Sequence, residues 1–154
     1  MATFQQQLKV GNIGEAAIAS YLTSRNWQVT DTTKNESFFA LDIDFIANKG
    51  AESRTIEVKT DTAIARTGNL FLEISQDEGS SRKGWALTSE AQYLFYYDLQ
   101  NKICYCFFME DMRKATQNSA YRKARCFDNH FTRVGVLLPL KEALTKYEHQ
   151  IIYI

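Results

Sequence analysis

The chain has 154 residues, of which 45% are hydrophobic and 23% charged, and this composition is typical of a globular protein rather than a disordered one. No apolar run approaches the roughly 20 residues that span a bilayer, and the polar N-terminal segment has no secretory signal core. With 18 basic and 18 acidic residues, total charge gives no indication of a nucleic-acid partner. We therefore expect a single cytoplasmic domain over residues 1–154, with no membrane partner and with reduced cysteines.

The first half of the chain is predicted to contain one long helix followed by strands. Apolar residues at i, i+4 and i+8 (Ile13, Ala17 and Tyr21) predict a helix. Alternating apolar and polar residues then predict strands that include a hairpin with its turn near Gly50. The predicted elements are a helix over Phe4–Arg25 and strands over Trp27–Thr32, Leu41–Ala47, Arg54–Asp61 and Asn69–Ser75.

The second half is predicted to contain aromatic-rich strands and short helices. Acidic residues favour a helix start at Glu110, and Pro139 is suited to the start of another helix. The elements are strands over Tyr93–Leu99, Lys102–Met109 and Arg133–Leu138, with helices over Glu110–Asn118 and Leu140–Tyr147. This order predicts an α/β or α+β sandwich around a mixed sheet.

Acidic residues and one lysine alternate with apolar residues on two of the predicted strands. Asp44 lies 13 positions before Glu57, and Lys59 lies two positions after Glu57. Adjacent antiparallel strands joined by a short turn would bring Asp44 beside Glu57. Strand alternation would place Asp42 and Asp44 on the same face as Glu57 and Lys59.

Such a cluster suits metal-dependent phosphodiester hydrolysis. Two close carboxylates repel each other unless a cation lies between them, and Mg²⁺ is often held by one or two carboxylates. A bound metal lowers the pKa of water, and Lys59 could orient that water or stabilise the phosphate. Glu15, at the border of the apolar face of the first helix, could complete the site. The alternative is a solvated strand face with cross-strand ion pairs.

Three segments resemble one known superfamily. Gly14-Glu15-Ala16-Ala17, the run Leu41–Ala47 and the run Ile56–Thr60 are similar to the restriction-endonuclease-like PD-(D/E)XK nucleases, which include Holliday-junction resolvases and phage enzymes. The resemblance covers roughly residues 11–76 and continues more weakly beyond them. It implies an α/β/α sandwich, with a central mixed β-sheet flanked by helices.

The resemblance also implies roles for individual residues. Asp44, Glu57 and the backbone carbonyl of Val58 would bind the metal, Lys59 would be the catalytic lysine, and Glu15 would be the helix glutamate of some members. No proline precedes the motif aspartate here, and Asp42 is an extra carboxylate that competes with Asp44 for the motif position.

Basic residues outside this cluster are candidates for DNA binding. Residues 1–80 carry 7 Lys or Arg and 11 Asp or Glu, a net charge of −4, whereas residues 81–154 carry 11 and 7, a net charge of +4. An acidic half suits cation binding and a basic half suits phosphate binding, although ordinary surface charge is the alternative. The candidates are Arg66, Arg82, Lys83, Arg113, Lys114, Arg122, Lys123 and Arg125.

A few other residues have alternative interpretations. Glu73 and Gln76 follow the motif and are candidate accessory residues of the cleft. Trp85 could stack on a base, but it is more typical of a core. Cysteines 104, 106 and 126 have no common zinc spacing, and the pair at 104 and 106 is more typical of a core.

Together, these patterns predict a DNA endonuclease of phage or mobile-element type that uses Mg²⁺ or Mn²⁺. A homodimer would supply two sites for two DNA strands. One alternative is an inactive module with the nuclease fold, which binds DNA or serves assembly in a phage or restriction complex. Another is a protein-binding subunit that uses the aromatic segment between Tyr93 and Phe108.

Overall fold

The computed structural model describes residues 3–33, 35–39, 41–127 and 130–154. The helices are α1 (Phe4–Ser24), α2 (Glu36–Phe39), α3 (Ile64–Thr67), α4 (Trp85–Thr88), α5 (Met109–Ala115) and α6 (Leu140–Lys146). The strands are β1 (Gln28–Asp31), β2 (Phe45–Lys49), β3 (Glu52–Asp61), β4 (Asn69–Ser75), β5 (Tyr93–Asp98), β6 (Ile103–Phe108), β7 (Lys123–Phe127), β8 (Thr132–Pro139) and β9 (His149–Tyr153).

Helix α1 matches the prediction and begins with a capping box. The Thr3 hydroxyl accepts a hydrogen bond from the Gln6 backbone N–H, and the Gln6 side chain accepts one from the Thr3 N–H. Gly14, in the middle of the helix, packs directly on β3. A Cβ atom at this position would lie 1.7 Å from the Thr60 Oγ1 atom, so the absence of a side chain allows the close approach of helix and strand.

The main sheet has six strands in the order β1-β2-β3-β5-β6-β9. It is mixed, because β3 and β5 are parallel whereas the other neighbours are antiparallel. Phe45 of β2 pairs with Ile56 of β3, and Gly50 makes the intervening turn with a φ of 59°. The predicted hairpin is therefore confirmed.

The predicted start of the strand that contains Asp44 is wrong. The strand expected to begin at Leu41 begins at Phe45 instead. Leu41 lies in a turn, and Asp42 has a φ of 48°, which is incompatible with extended backbone. Consequently Asp42 reaches the site from a turn rather than from a strand face.

A second sheet, in the order β4-β8-β7, lies against one face of the main sheet. Its residues Leu72 and Val136 share a hydrophobic core with Leu94 and Tyr96 of β5. Helices α4, α5 and α6 contribute to the same core, and α1 contributes to the core on the other face. The protein is thus an α/β fold with a mixed central sheet flanked by helices, as predicted.

Two further observations concern the remaining sequence features. Cys104 and Cys106 are buried in the core on the α1 side, with their sulfur atoms 3.9 Å apart, as expected for core residues. Among the described residues, no helix combines the length and apolar character required to cross a membrane.

Candidate functional site

The β2–β3 hairpin brings Asp44 beside Glu57. The Asp44 backbone N–H donates to the Ile56 carbonyl at 2.9 Å, which continues the strand pairing by one residue. The Val58 N–H in turn donates to the Asp44 Oδ2 atom at 2.8 Å. Two backbone hydrogen bonds therefore hold the Asp44 carboxylate against the part of β3 that carries Glu57.

Glu57 and Lys59 lie on the same face of β3 and form an ion pair. The Lys59 Nζ atom is 2.6 Å from Glu57 Oε1. The Glu57 side chain is only 4% exposed, and its Oε2 atom has no hydrogen-bond partner among the described residues. The Lys59 side chain is 32% exposed, and its Nζ atom lies 5.4 Å from the centre of the Trp85 ring. Lys59 thus pairs with one oxygen of the Glu57 carboxylate, and the other oxygen has no hydrogen-bond partner among the described residues.

Burial makes this group of acids unusually weak. It raises the pKa of Glu57 to about 8, although the nearby Lys59 opposes the shift. Burial also raises the pKa of Asp44, against the effects of Lys59 and the Val58 N–H. Burial alone lowers the pKa of Lys59, but the Glu57 and Asp44 carboxylates outweigh it, so this pKa is raised overall.

Glu15 approaches the same group from α1. Its pKa is raised to about 7, mainly by burial and then by the negative charges of Asp44 and Asp31. A carboxyl group with a pKa near neutrality can both accept and release a proton at physiological pH. The structure therefore brings the predicted helix glutamate close enough to Asp44 for their charges to interact, in a cavity that Glu57 also lines.

The donor set suits a hard divalent cation. The Glu57 Oε2 atom, which has no hydrogen-bond partner in the described part of the chain, and the Asp44 carboxylate could supply oxygen ligands, and a cation beside them would offset their mutual repulsion. Within the described ranges, no group of three or more His, Cys, Asp or Glu side chains is arranged around a metal position. Two carboxylates with backbone and water oxygens are the ligand type that Mg²⁺ commonly uses, so the residues fit this ion.

Asp42 adjoins the cluster but is engaged differently from Asp44. The Thr88 hydroxyl donates to Asp42 Oδ2 at 2.6 Å, and the Ser89 hydroxyl donates to the Asp42 carbonyl at 2.7 Å. These bonds tie the turn to the end of α4. Asp42 is thus held by hydroxyl donors, whereas Asp44 is held against the strand that carries Glu57.

Two cavities share Asp42 and Lys59 in their linings and are therefore neighbours; together we call them the cleft. One, of about 400 Å³, lies toward α1 and the strand carboxylates; the other, of about 370 Å³, lies toward the second sheet. The first is lined by Leu8, Asn12, Glu15, Thr33, Phe38, Asp42, Ile43, Asp44, Glu57 and Lys59. The second is lined by Phe4, Asp42, Lys59, Glu73, Gln76, Arg82, Trp85, Phe131 and Arg133.

The accessory candidates of β4 and its following loop line this cleft. Glu73 is 7% exposed, and burial raises its pKa against the opposing charges of Arg133 and Lys59. The Arg133 Nη1 atom lies 3.7 Å from Glu73 Oε2. Gln76 accepts a hydrogen bond from Arg82 at 2.9 Å. The second sheet therefore supplies one wall of the cleft.

The predicted DNA-binding cations are dispersed. Arg82 lines the cleft, whereas Arg113 donates to the buried Ser89 carbonyl. Arg125 pairs with Glu78, and Lys114 lies 3.5 Å from Glu110. The exposed residues Arg66, Lys83, Arg122 and Lys123 are not among those that line the cleft.

Several residues that line the cleft or contact its walls are not among the candidates from the sequence. Phe131, directly before β8, and Arg133, within β8, line the part of the cleft toward the second sheet, and Thr88 contacts the cleft residue Asp42 through a hydrogen bond. Thr88 and the pair Phe131 and Arg133 are distant in sequence from Asp44 and Lys59. Arg133 belongs to the basic half of the chain, residues 81–154, which indicates phosphate binding, but no local pattern predicts that it lines the same cavity as Lys59.

Comparison with known proteins first defines the class of fold. No protein-family model and no curated protein matches the chain. Among solved structures, the chain shares a nuclease-type α/β fold with an endonuclease.

That structure is the bacterial homing endonuclease I-Ssp6803I. It aligns with a TM-score of 0.52 and 12% sequence identity, and the alignment covers 82% of this chain and 74% of the endonuclease chain. At this identity the similarity shows the fold alone.

Proposed function

We propose that this protein is a metal-dependent DNA endonuclease of the PD-(D/E)XK class, which uses Mg²⁺ or Mn²⁺ and belongs to a phage or mobile element. The observation that carries this proposal is the convergence of Asp44, Glu57 and Lys59 in an open cleft. The endonuclease fold of the structural neighbour supports the same class of activity.

The chain's own residues account for ion binding and proton handling. Asp44, Glu57 and the Val58 carbonyl would hold the ion, which would lower the pKa of a bound water and neutralise phosphate charge. The partly exposed Lys59 ammonium faces the cleft, where it would orient the attacking water or stabilise the phosphate. Glu15, with a pKa of about 7, would accept a proton during the reaction.

DNA is the substrate best suited to the surroundings of these residues. Arg82 and Arg133 line the half of the cleft that lies toward the second sheet, where they would contact phosphates. The endonuclease named in the structural comparison is consistent with this substrate. Because a duplex has two strands, we propose that two copies of the chain act together as a homodimer.

An inactive DNA-binding or assembly module is the second candidate. The observation that favours it is the ion pair between Lys59 and Glu57, which places a positive charge beside the buried acid without any metal. Under this alternative, the chain would bind DNA in a salt-sensitive manner without metal-dependent turnover.

Plasmid cleavage separates the two candidates. Supercoiled DNA would be incubated with the wild type in Mg²⁺, Mn²⁺ or a chelator, in parallel with Glu57→Gln as the site variant and the exposed Lys141→Ala as a control. The endonuclease proposal predicts nicking only with metal, loss of nicking in Glu57→Gln and wild-type behaviour in Lys141→Ala. DNA binding without nicking, tested on linear and branched DNA as well, would support the inactive module.

A further inference from the structure

A row of aromatic rings and cations crosses the end of the main sheet opposite the carboxylates. Each of five neighbouring strands contributes one member, either from within the strand or from directly beside it. From β1 to β6 in sheet order, the members of this row are Trp27, Lys49, Arg54, Tyr93 and Phe108.

The members of the row contact one another. The Lys49 Nζ atom lies 5.7 Å from the centre of the Trp27 ring, and the Arg54 guanidinium carbon lies 4.8 Å from the same centre. Both distances are within the range of cation–π contacts. The same Arg54 carbon is 5.4 Å from the Tyr93 ring. The Tyr93 and Phe108 ring centres are 5.2 Å apart. Cations and rings therefore form a continuous strip.

The strip borders an open cavity that α1 leaves uncovered. Helix α1 packs mainly on β1 and β3. A cavity of about 340 Å³, which no residue of α1 lines, is bounded by apolar side chains and by polar groups of Glu148 and β9. Phe108 is 37% exposed, and Tyr93 is half-buried. The polar groups of the cavity include Arg54, Glu148, His149 and Gln150.

We propose that this strip binds single-stranded DNA, with one base in the cavity. Aromatic faces stack on unpaired bases, and cations beside them contact the phosphates; this combination is typical of single-strand binding surfaces. Gln150, which pairs with Cys106 and therefore lies on the face of the strip, would meet the edge of the base that enters the cavity. A duplex is excluded from this mode of binding because its bases are stacked on one another.

Local charge indicates that stacking dominates the interaction. Lys49 and Arg54 are the cations of the strip, but Arg54 pairs with Glu52 at 3.0 Å and Glu148 lies at the cavity. Each neutralised phosphate on a single strand contributes about −0.7 to the slope of log K against log salt. With two cations, the slope should not be steeper than about −1.4.

The strip is separate from the proposed nuclease site. Asp44 lies directly before the start of β2, whereas Lys49 ends that strand. Single-strand binding is therefore expected without a metal and without cleavage. A chelator therefore removes cleavage from the measurement, and comparison of the strip variants with the wild type isolates the contribution of the strip whatever the plasmid assay shows.

Fluorescence anisotropy with a labelled oligothymidylate of about 12 nucleotides tests the proposal in a chelator. Phe108→Ala and Tyr93→Ala should each weaken binding by about fivefold or more, since stacking on one aromatic ring contributes this much. Tyr93→Phe should retain binding. Tyr153→Ala is the matched control, because this aromatic residue is 75% exposed at the other end of β9.

Further readouts keep the test independent of folding. Thermal unfolding would identify any variant that is not native, and quenching of Trp27 fluorescence should accompany binding in the wild type. Lys141→Ala, on the exposed surface of α6, should bind the oligonucleotide as the wild type does. The proposal is overturned by an absence of wild-type binding, by equal affinities across the aromatic variants, or by self-association that Phe108→Ala abolishes.

Discussion

Lys59 neutralises one side of Glu57: its ammonium nitrogen is 2.6 Å from Oε1, while Oε2 is buried without a partner among the described residues. An unsatisfied buried carboxylate oxygen is unfavourable in a folded protein. A divalent cation beside Asp44 would satisfy it. The geometry of this pair therefore connects folding stability with the proposed metal binding.

Replacement of Lys59 by alanine should abolish most of the activity. We expect nicking of plasmid DNA to fall by about 100-fold or more, because a positioned proton-transfer or charge-stabilising group contributes at least this much. Loss of the ion pair with Glu57 should also lower the free energy of unfolding by about 1–3 kcal/mol, measured with urea above pH 8, where Glu57 is ionised in the folded protein. Lys141→Ala on the exposed surface of α6 is the control. If Lys59→Ala nicked plasmid DNA at the wild-type rate, Lys59 would have no role in catalysis.

The two neighbouring aspartates should respond differently to the same isosteric change. Asp44→Asn should eliminate cleavage, because its carboxylate lies against β3 beside Glu57. Asp42→Asn should retain most of the activity, since an amide can still accept the Thr88 hydrogen bond and asparagine tolerates a φ of 48°. The measurement is the plasmid nicking rate of each variant. If Asp42→Asn were inactive and Asp44→Asn active, Asp42 rather than Asp44 would be the aspartate of the motif.

The raised pKa of Glu57 predicts a specific pH dependence of stability. The folded protein retains a proton on this group up to about pH 8, whereas the unfolded chain loses it near the ordinary value of 4.5. The native state therefore binds more protons between these values, and this group makes the free energy of unfolding fall as pH rises through the window. Glu15, with a pKa of about 7, acts in the same direction.

Urea unfolding at several pH values measures this effect. Glu57→Gln should flatten the decline relative to the wild type, since glutamine does not titrate. Added Mg²⁺ should stabilise the wild type progressively more as pH rises toward 8, because metal binding displaces the proton. Identical pH profiles for the wild type and Glu57→Gln would show that Glu57 titrates normally.

Two glycines of α1 should give opposite results when replaced by alanine. At Gly14 a Cβ atom would lie 1.7 Å from Thr60 Oγ1, so Gly14→Ala should destabilise the protein by about 1–3 kcal/mol. At Gly11 nothing lies within 4 Å, and Gly11→Ala should stabilise by about 0.5–1 kcal/mol through helix propensity. Thermal and urea unfolding measure both. Equal effects of the two substitutions would argue against close packing of α1 on β3.

Local patterns predicted the elements that carry the site. Residue alternation and the turn at Gly50 were sufficient to predict that Glu57 and Lys59 share a face and that Asp44 lies beside them. The 3.6-residue period predicted α1, and the close approach of Gly14 to Thr60 explains the glycine within it. These features depend on residues near one another in sequence.

Other features depend on contacts between distant segments. Strand β7 was not predicted, because its exposed basic residues show no alternation and pair with β8 only within the second sheet. The orientation of Asp42 depends on a turn held by Thr88, 46 residues away. Likewise, Arg113 resembled a DNA-binding cation but donates to Ser89. Such tertiary contacts cannot be predicted from the pattern of neighbouring residues in the sequence.

Anomalous diffraction from a crystal soaked in Mn²⁺ tests the central claim most directly. The account predicts one strong peak within ligand distance of carboxylate oxygens of both Asp44 and Glu57, and its loss in Glu57→Gln. A well-ordered, accessible cleft without a peak, or manganese bound elsewhere with these carboxylates uninvolved, would contradict a metal-dependent site at this position.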